Sequence, residues 1–115
     1  MSDSENFSGA DIDYRRCAIL YVDDEEQSLK YFTRVFRKKF RVFTASSAAE
    51  GFRLFEKHVD DLGVLITDER MPGEKGVRLL ERVRELKPTA VRILVTAYSD
   101  LDAAIRAVNS GSIFK

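Results

Sequence analysis

The chain has 115 residues, of which 44% are hydrophobic and 33% charged, and its 19 basic side chains balance 19 acidic ones. This length accommodates one domain with one core, the zero net charge disfavours nucleic-acid binding by this segment, and no apolar run is long enough to span a membrane. Because the chain begins without a signal-peptide pattern and has a single cysteine, we expect a cytoplasmic protein without an internal disulfide.

The first part of the chain predicts a tail, a strand and a helix. Residues 1–13 are mostly small or polar and are expected to form a flexible tail, so that the domain spans residues 14–115. An apolar strand is predicted from Cys17 to Val22, and Asp23 and Asp24 follow it directly. The next segment is predicted to be a helix, because its apolar residues recur on one face: Leu29, Phe32, Val35 and Phe36.

The rest of the chain repeats this alternation of strand and helix. Strands are predicted at residues 41–45, 63–67 and 91–96, and a fifth is predicted to begin at 113–114, close to the chain end. The pattern of Ser47 and Glu50 is a capping box that opens the second helix, and Pro88 marks the end of the third. We expect the third helix to bury Val77, Leu80 and Val83, with Leu79 and Leu86 widening its apolar stripe. A fourth helix is expected to begin near residue 99.

The strands are nearly continuous apolar runs, which is typical of strands that are buried on both faces of a sheet. Their alternation with helices predicts parallel connections, and right-handed crossovers then produce a doubly wound α/β sandwich. In such sheets, the functional site lies beyond the carboxyl ends of the strands, where the winding reverses.

Four polar side chains occupy these predicted strand ends. Asp23 and Asp24 end the first strand, Asp68 ends the third and Thr96 ends the fourth. Three clustered carboxylates repel one another, so a cation is expected among them, and an all-oxygen set suits Mg²⁺ or Mn²⁺. Each residue taken alone has a simpler interpretation: Asp24 as a cap of the next helix, Thr96 as an ordinary strand residue. Their convergence at one sheet edge favours a functional site.

Three segments resemble the response-regulator receiver family of two-component signalling: Ile19–Glu25, Asp68–Gly73 with Gly76, and Ile93–Ala97. The resemblance extends over residues 17–115. It implies a flavodoxin-like sheet of strand order 2-1-3-4-5, which here is apparently truncated in or before the fifth strand. By position, Asp68 matches the phosphoacceptor and Thr96 the switch hydroxyl. Asp24, Asp68 and the backbone carbonyl of Arg70 match the Mg²⁺ ligands, and Asp23 matches the acid that holds the ion through water.

The resemblance also implies partners and a mode of action. The phosphoryl donor would be the phosphohistidine of a sensor histidine kinase or a phosphotransfer protein, and the domain would switch an output domain in the same or another chain. It would catalyse its own aspartyl phosphorylation and dephosphorylation without being a turnover enzyme. A truncated sheet would also allow two chains to form a homodimer. Two alternatives are a pseudo-receiver, which acts as an unphosphorylated interaction module, and a Mg²⁺-dependent phosphohydrolase. The second is disfavoured because Arg70 stands where such hydrolases place a second acid.

Overall fold

A computed structural model describes residues 17–96 and Ile105 of the chain. Strands and helices alternate along it: β1 Ala18–Val22, α1 Glu26–Phe36, β2 Arg41–Ala45, α2 Ala48–Lys57, β3 Leu62–Asp68, α3 Gly76–Leu86 and β4 Val91–Val95. Among the helices of this part of the chain, none has the length and apolarity needed to cross a membrane. Four expectations fall outside the described residues: the tail 1–13, the domain limits 14–115, the start of the fourth helix near residue 99 and the fifth strand.

The four strands form one parallel sheet in the order β2-β1-β3-β4. This confirms the parallel, doubly wound fold for the described strands. The winding reverses between β1 and β3, because the chain leaves β1 towards β2 and returns to the other side of β1 through α2. A register shift next to Gly63 sets the β1–β3 pairing, after which Val22 lies opposite Thr67.

Both faces of the sheet are covered, since alternate residues of β1 belong to two different apolar clusters. Leu20 and Val22 pack with Phe55 of α2 and Leu79 of α3 on one face. On the other face, the cluster comprises Ile19, Tyr21, Phe32, Phe36, Phe40, Ile66, Val95 and the helical residue Ile105. All five side chains of β1 are therefore buried, as expected for a central parallel strand.

The capping box that opens α2 is confirmed. The Ser47 hydroxyl accepts the Glu50 N–H at 3.1 Å. The Glu50 carboxylate reaches back by one residue more than the motif requires and accepts the Ser46 N–H at 2.8 Å. The N–H of Glu50 in the first turn and the N–H of Ser46, two residues before the helix, are thereby satisfied, which fixes where the chain leaves β2.

The face that α3 buries matches the expected one in part: Leu79 and Val83 are buried as expected, whereas Leu86 is 38% exposed. Gly76 is also buried, whereas Val77, which was expected inside, is 46% exposed and wrong as a core residue. Leu80 is half-buried at the border of the core. The reason is that Gly76, which has no side chain, lies closest to the sheet and turns its neighbour towards solvent.

Lys87, directly after α3, connects two loops at the sheet edge opposite the carboxyl ends. Its ammonium donates hydrogen bonds to the carbonyl oxygens of Val59, at 2.6 Å, and Leu62, at 2.8 Å. Val59 lies in the turn between α2 and β3 and Leu62 is the first residue of β3, so one side chain connects the end of α3 to the start of β3.

The Lys87→Met variant should lose this connection while keeping the aliphatic part of the side chain. Hydrogen bonds to charged groups contribute about 1.5–3 kcal/mol, so we expect the free energy of unfolding to fall by about 2 kcal/mol in urea titrations. The matched control is Lys57→Met, at an exposed position in the last turn of α2. Equal midpoints for the two variants would refute the structural role of the Lys87 ammonium.

Candidate functional site

The carboxylates that follow β1 and end β3 meet at the sheet edge where the winding reverses. One oxygen from each of Asp23, Asp24 and Asp68 lies within 4.8 Å of the other two. The β1–β3 ladder produces this closeness, because the Val22–Thr67 pair puts Asp23 next to Asp68 on the adjacent strand. The structure thus brings together three of the residues that the sequence singles out.

Asp23 is held firmly, with only 7% of its surface exposed. Its backbone N–H donates to the Ala45 carbonyl at 3.1 Å, which extends the β1–β2 ladder by one residue. Both carboxylate oxygens also accept hydrogen bonds: Oδ2 from the Tyr21 hydroxyl at 2.5 Å and Oδ1 from the Glu25 N–H at 2.9 Å. Its position and orientation are therefore specified by the backbone and by a core side chain.

Asp24 is exposed at the mouth of the site. The interpretation of Asp24 as a helix cap is wrong, because Glu25 occupies the N-cap position of α1. The Glu25 carboxylate instead accepts a hydrogen bond from the Ser28 hydroxyl at 3.0 Å. The Asp24 carboxylate is thus not engaged in capping α1.

Asp68 is the last residue of β3 and is partly buried. Desolvation raises the pKa of its carboxyl group above the ordinary value, and the negative charges of Asp23 and Asp24 raise it further. The backbone N–H groups of Glu69 and Arg70 favour the ionised form and act in the opposite direction. The net upward shift means that the folded domain holds the ionised Asp68 at a cost in stability, which a bound cation would offset.

The loop from Asp68 to α3 folds back tightly over Asp68. The Glu69 carboxylate accepts the Val77 N–H at 2.8 Å and so satisfies a free donor in the first turn of α3. Gly76 approaches Asp68 so closely that a Cβ atom at this position would lie 2.2 Å from the Asp68 carbonyl oxygen. The glycine of the family-like segment is therefore required for space. Gly73 serves a different purpose, since its φ of 81° lies in the left-handed region.

Two residues of this loop, Met71 and Glu74, attach it to the rest of the domain. Met71 is 3% exposed and belongs to the core between the sheet, α2 and α3. Glu74 accepts a hydrogen bond from Arg82 at 2.7 Å, and the Arg82 guanidinium stacks 3.9 Å over the Phe52 ring of α2. Arg70, between these anchors and Asp68, is exposed. It lies two residues after the end of β3, and its backbone N–H contacts the Asp68 carboxylate.

Thr96 follows β4 and lies at the same sheet edge. The preceding residue, Val95, pairs with Asp68, and its carbonyl oxygen accepts the Glu69 N–H at 3.0 Å. Thr96 itself is exposed.

The cluster at this edge consists of three carboxylates, and carboxylate oxygens are ligands that Mg²⁺ and Mn²⁺ prefer. Sequence reasoning missed Tyr21 as a member of the site and treated it only as part of an apolar strand. Strand periodicity contained the signal, because residues 21 and 23 lie on the same face of an extended chain, within reach of a long side chain.

Comparison with known proteins agrees with this geometry. The response regulator receiver domain family matches residues 19–113. The hydrogenase transcriptional regulatory protein HoxA of Cupriavidus necator is 38% identical over 101 residues, which cover 88% of this chain and 20% of that protein. The transcriptional regulatory protein FixJ of Rhizobium meliloti is 34% identical over 92 residues, which cover 80% of this chain and 45% of that protein. The chain thus spans less than half the length of these relatives.

Solved structures agree in fold as well. A response regulator receiver domain protein from Clostridium thermocellum superposes with a TM-score of 0.68 at 34% identity, over 84% of this chain and 77% of that one. A CheY-like receiver domain protein from Methanospirillum hungatei gives 0.67 at 28% identity, over 84% of this chain and 76% of that one. The chain belongs to the response regulator receiver domain family and is a receiver domain of the two-component type.

Proposed function

We propose that this domain accepts a phosphoryl group on Asp68 from a phosphohistidine and thereby controls an output domain. The observation that supports the proposal is the carboxylate cluster itself. Asp23, Asp24 and Asp68 offer oxygens within 4.8 Å of one another at the edge where the winding of the sheet reverses. Three acidic groups so close together repel one another, and a metal-assisted phosphoryl-transfer site uses such a cluster to hold its cation.

The transfer proceeds by attack of an Asp68 carboxylate oxygen on the phosphorus atom. A phosphorus–oxygen bond forms, the phosphorus–nitrogen bond of the phosphohistidine breaks, and the electron pair returns to the imidazole nitrogen. The product is an acyl phosphate on Asp68. Attack of water on its phosphorus atom regenerates the carboxylate and releases inorganic phosphate, so the signal ends without a second enzyme.

The residues present fit a magnesium ion. Asp24, Asp68 and the backbone carbonyl of Arg70 would hold it directly, and Asp23 would hold it through water. When bound, the ion neutralises the negative charge that accumulates as the phosphoryl group approaches the carboxylates. Asp23 suits the indirect role, because both of its oxygens already accept hydrogen bonds from the protein.

Thr96 is proposed as the switch residue. It lies directly after the Val95–Asp68 pair, at the sheet edge that bears the acids, and from there its hydroxyl would donate to a phosphoryl oxygen on Asp68. This contact would shift the start of the segment that follows β4. The segment would then transmit the state of Asp68 to an output domain in the same or another chain.

The donor is proposed to be a sensor histidine kinase or a phosphotransfer protein that docks beside α1. This helix begins at Glu26, directly after the site, and a groove of about 590 Å³ runs along its exposed side. The groove is lined by apolar, hydroxyl and basic side chains: Leu29, Thr33, Thr44, Lys30, Arg34 and Arg37, with Glu26 at its end. A partner that packs here would hold its phosphohistidine close to Asp68.

The test is mass spectrometry of the intact chain after incubation with Mg²⁺ and acetyl phosphate, a small phosphodonor. We expect a gain of one phosphoryl group, which disappears over time and does not form when EDTA removes the metal. A chain that never gains mass would be a pseudo-receiver. Steady release of phosphate without any accumulation would instead identify a phosphohydrolase.

The Asp24→Ala variant should lose the response of the fold to Mg²⁺. A ligand that binds only the folded state stabilises it by mass action, by about 1.4 kcal/mol at ten times its dissociation constant. We therefore expect the melting temperature of the parent, but not of Asp24→Ala, to rise with Mg²⁺. Asp60→Ala, in the turn after α2, is the control and should behave like the parent. The same Mg²⁺-dependent shift in all three proteins would contradict the proposed ligand set.

A further inference from the structure

Tyr21 is a core residue of β1 whose hydroxyl contacts the carboxylate cluster. The side chain is fully buried, and its ring stacks on Phe32 of α1 with a centroid distance of 4.7 Å and an interplanar angle of 23°. The hydroxyl donates to Asp23 Oδ2 at 2.5 Å. The backbone of β1 and the ring of Phe32 thus fix the position of this donor.

The hydrogen bond determines how Asp23 faces the other acids. A carboxylate at a strand end rotates readily about its last side-chain bond unless its oxygens are held. Here Oδ1 is held by the Glu25 N–H at 2.9 Å and Oδ2 by Tyr21, so rotation would break both contacts. Of the two donors, only the Tyr21 hydroxyl comes from the packed core between the sheet and α1.

We propose that Tyr21 is a positioning residue for magnesium binding, which acts through Asp23 by fixing the orientation of its carboxylate towards the cluster. This inference rests on the proposed function. Removing the hydrogen-bond partner of a direct metal ligand typically weakens metal binding about 10- to 100-fold, and because Asp23 would hold the ion through water, we expect the lower end of this range. Because Tyr21 lies in the apolar core, it also links the packing of α1 on the sheet to the metal site.

The decisive variant is Tyr21→Phe, which removes the hydroxyl and leaves the ring stacked on Phe32. Its matched control is Tyr31→Phe, which removes a hydroxyl from a side chain of α1 that is 38% exposed. Mg²⁺ binding is measured by calorimetric titration well below the melting temperature, where all proteins are folded. We expect the dissociation constant to rise about tenfold in Tyr21→Phe and to stay at the parent value in Tyr31→Phe.

A double-mutant cycle identifies the route of the effect. If Tyr21 acts through Asp23, adding Tyr21→Phe to Asp23→Asn should weaken Mg²⁺ binding by less than twofold beyond Asp23→Asn alone. The rate of phosphorylation of Tyr21→Phe by acetyl phosphate should return to the parent rate at saturating Mg²⁺, because only metal positioning is impaired.

The outcomes separate the role of Tyr21 from the proposed function. A Tyr21→Phe variant with a lower melting temperature but the parent affinity for Mg²⁺ would show a purely structural tyrosine and overturn the inference. Full additivity with Asp23→Asn would overturn the route through Asp23. A parent chain that binds no Mg²⁺ would overturn the metal site and, with it, the role proposed for Tyr21.

Discussion

The Asp68→Asn variant is expected to take up no phosphoryl group under conditions that modify the parent. The carboxamide keeps the size and much of the hydrogen bonding of the side chain but lacks the nucleophilic carboxylate oxygen. Mass spectrometry after incubation with acetyl phosphate and Mg²⁺ measures the result. Asp60→Asn, far from the site, is the control and should be modified like the parent. A phosphorylated Asp68→Asn protein would place the acceptor elsewhere.

The same variant should be more stable than the parent when no metal is present. Because the pKa of Asp68 is raised in the folded state, the folded domain binds its proton more tightly than the unfolded chain does. The parent therefore loses stability as pH rises from the ordinary aspartate pKa through the raised one, and asparagine avoids this loss. Thermal melts in EDTA should show a higher melting temperature for Asp68→Asn at pH 7 and a shrinking difference as pH falls towards 4. A constant difference across this range would contradict the effect of ionisation.

The Gly76→Ala variant is expected to be strongly destabilised. Its new methyl group would lie 2.2 Å from the Asp68 carbonyl oxygen and 3.1 Å from the Glu69 Cα, and these backbone atoms are held by the ladder between β3 and β4. Relief requires α3 to move away from the strand end that bears Asp68. We expect the free energy of unfolding to fall by about 3 kcal/mol in urea titrations.

Gly63→Ala is the matched control for this substitution. A Cβ atom at this position meets only the Cys17 sulfur at 3.6 Å, an ordinary contact, and φ is not in the left-handed region. Replacement of glycine there restricts the unfolded chain, so stability should stay equal or rise by up to about 1 kcal/mol. If both alanine variants lost the same stability, the close approach of α3 to Asp68 would not be what requires glycine at position 76.

Much of the fold follows from the sequence because its signals are local and repeated. Each strand is a short apolar run, and each helix has one apolar face, so β1, β2, β3 and β4 are found within one residue of their predicted limits. The rule that sites lie at the carboxyl ends of parallel strands also singles out Asp23, Asp24 and Asp68 as neighbours, since it needs only the element order.

The features that the sequence misplaced or did not reveal depend on contacts that its periodicity does not encode. Val77 has the spacing of a core residue, but the close packing of Gly76 on the strand end turns it towards solvent. The bond from Tyr21 to Asp23 depends on a side-chain rotamer that the stacking on Phe32 selects. Lys87 has the pattern of an ordinary surface lysine, and only the fold brings two carbonyl oxygens to its ammonium.

The register between β1 and β3 has a consequence for protein engineering. Asp23 and Asp68 follow the paired residues Val22 and Thr67, so their backbones are separated by the distance between two neighbouring parallel strands, about 4.8 Å. A slip of one residue would exchange the faces to which Asp23 and Asp24 point. Conversely, any parallel strand pair with this register and a reversal of winding beside it is a scaffold onto which two consecutive acids and one opposing acid can be transplanted. The spacing of the acids is thus set by two neighbouring strands, the five residues of β1 and the seven of β3, while the orientation of Asp23 also needs its contacts with Glu25 and with the core residue Tyr21.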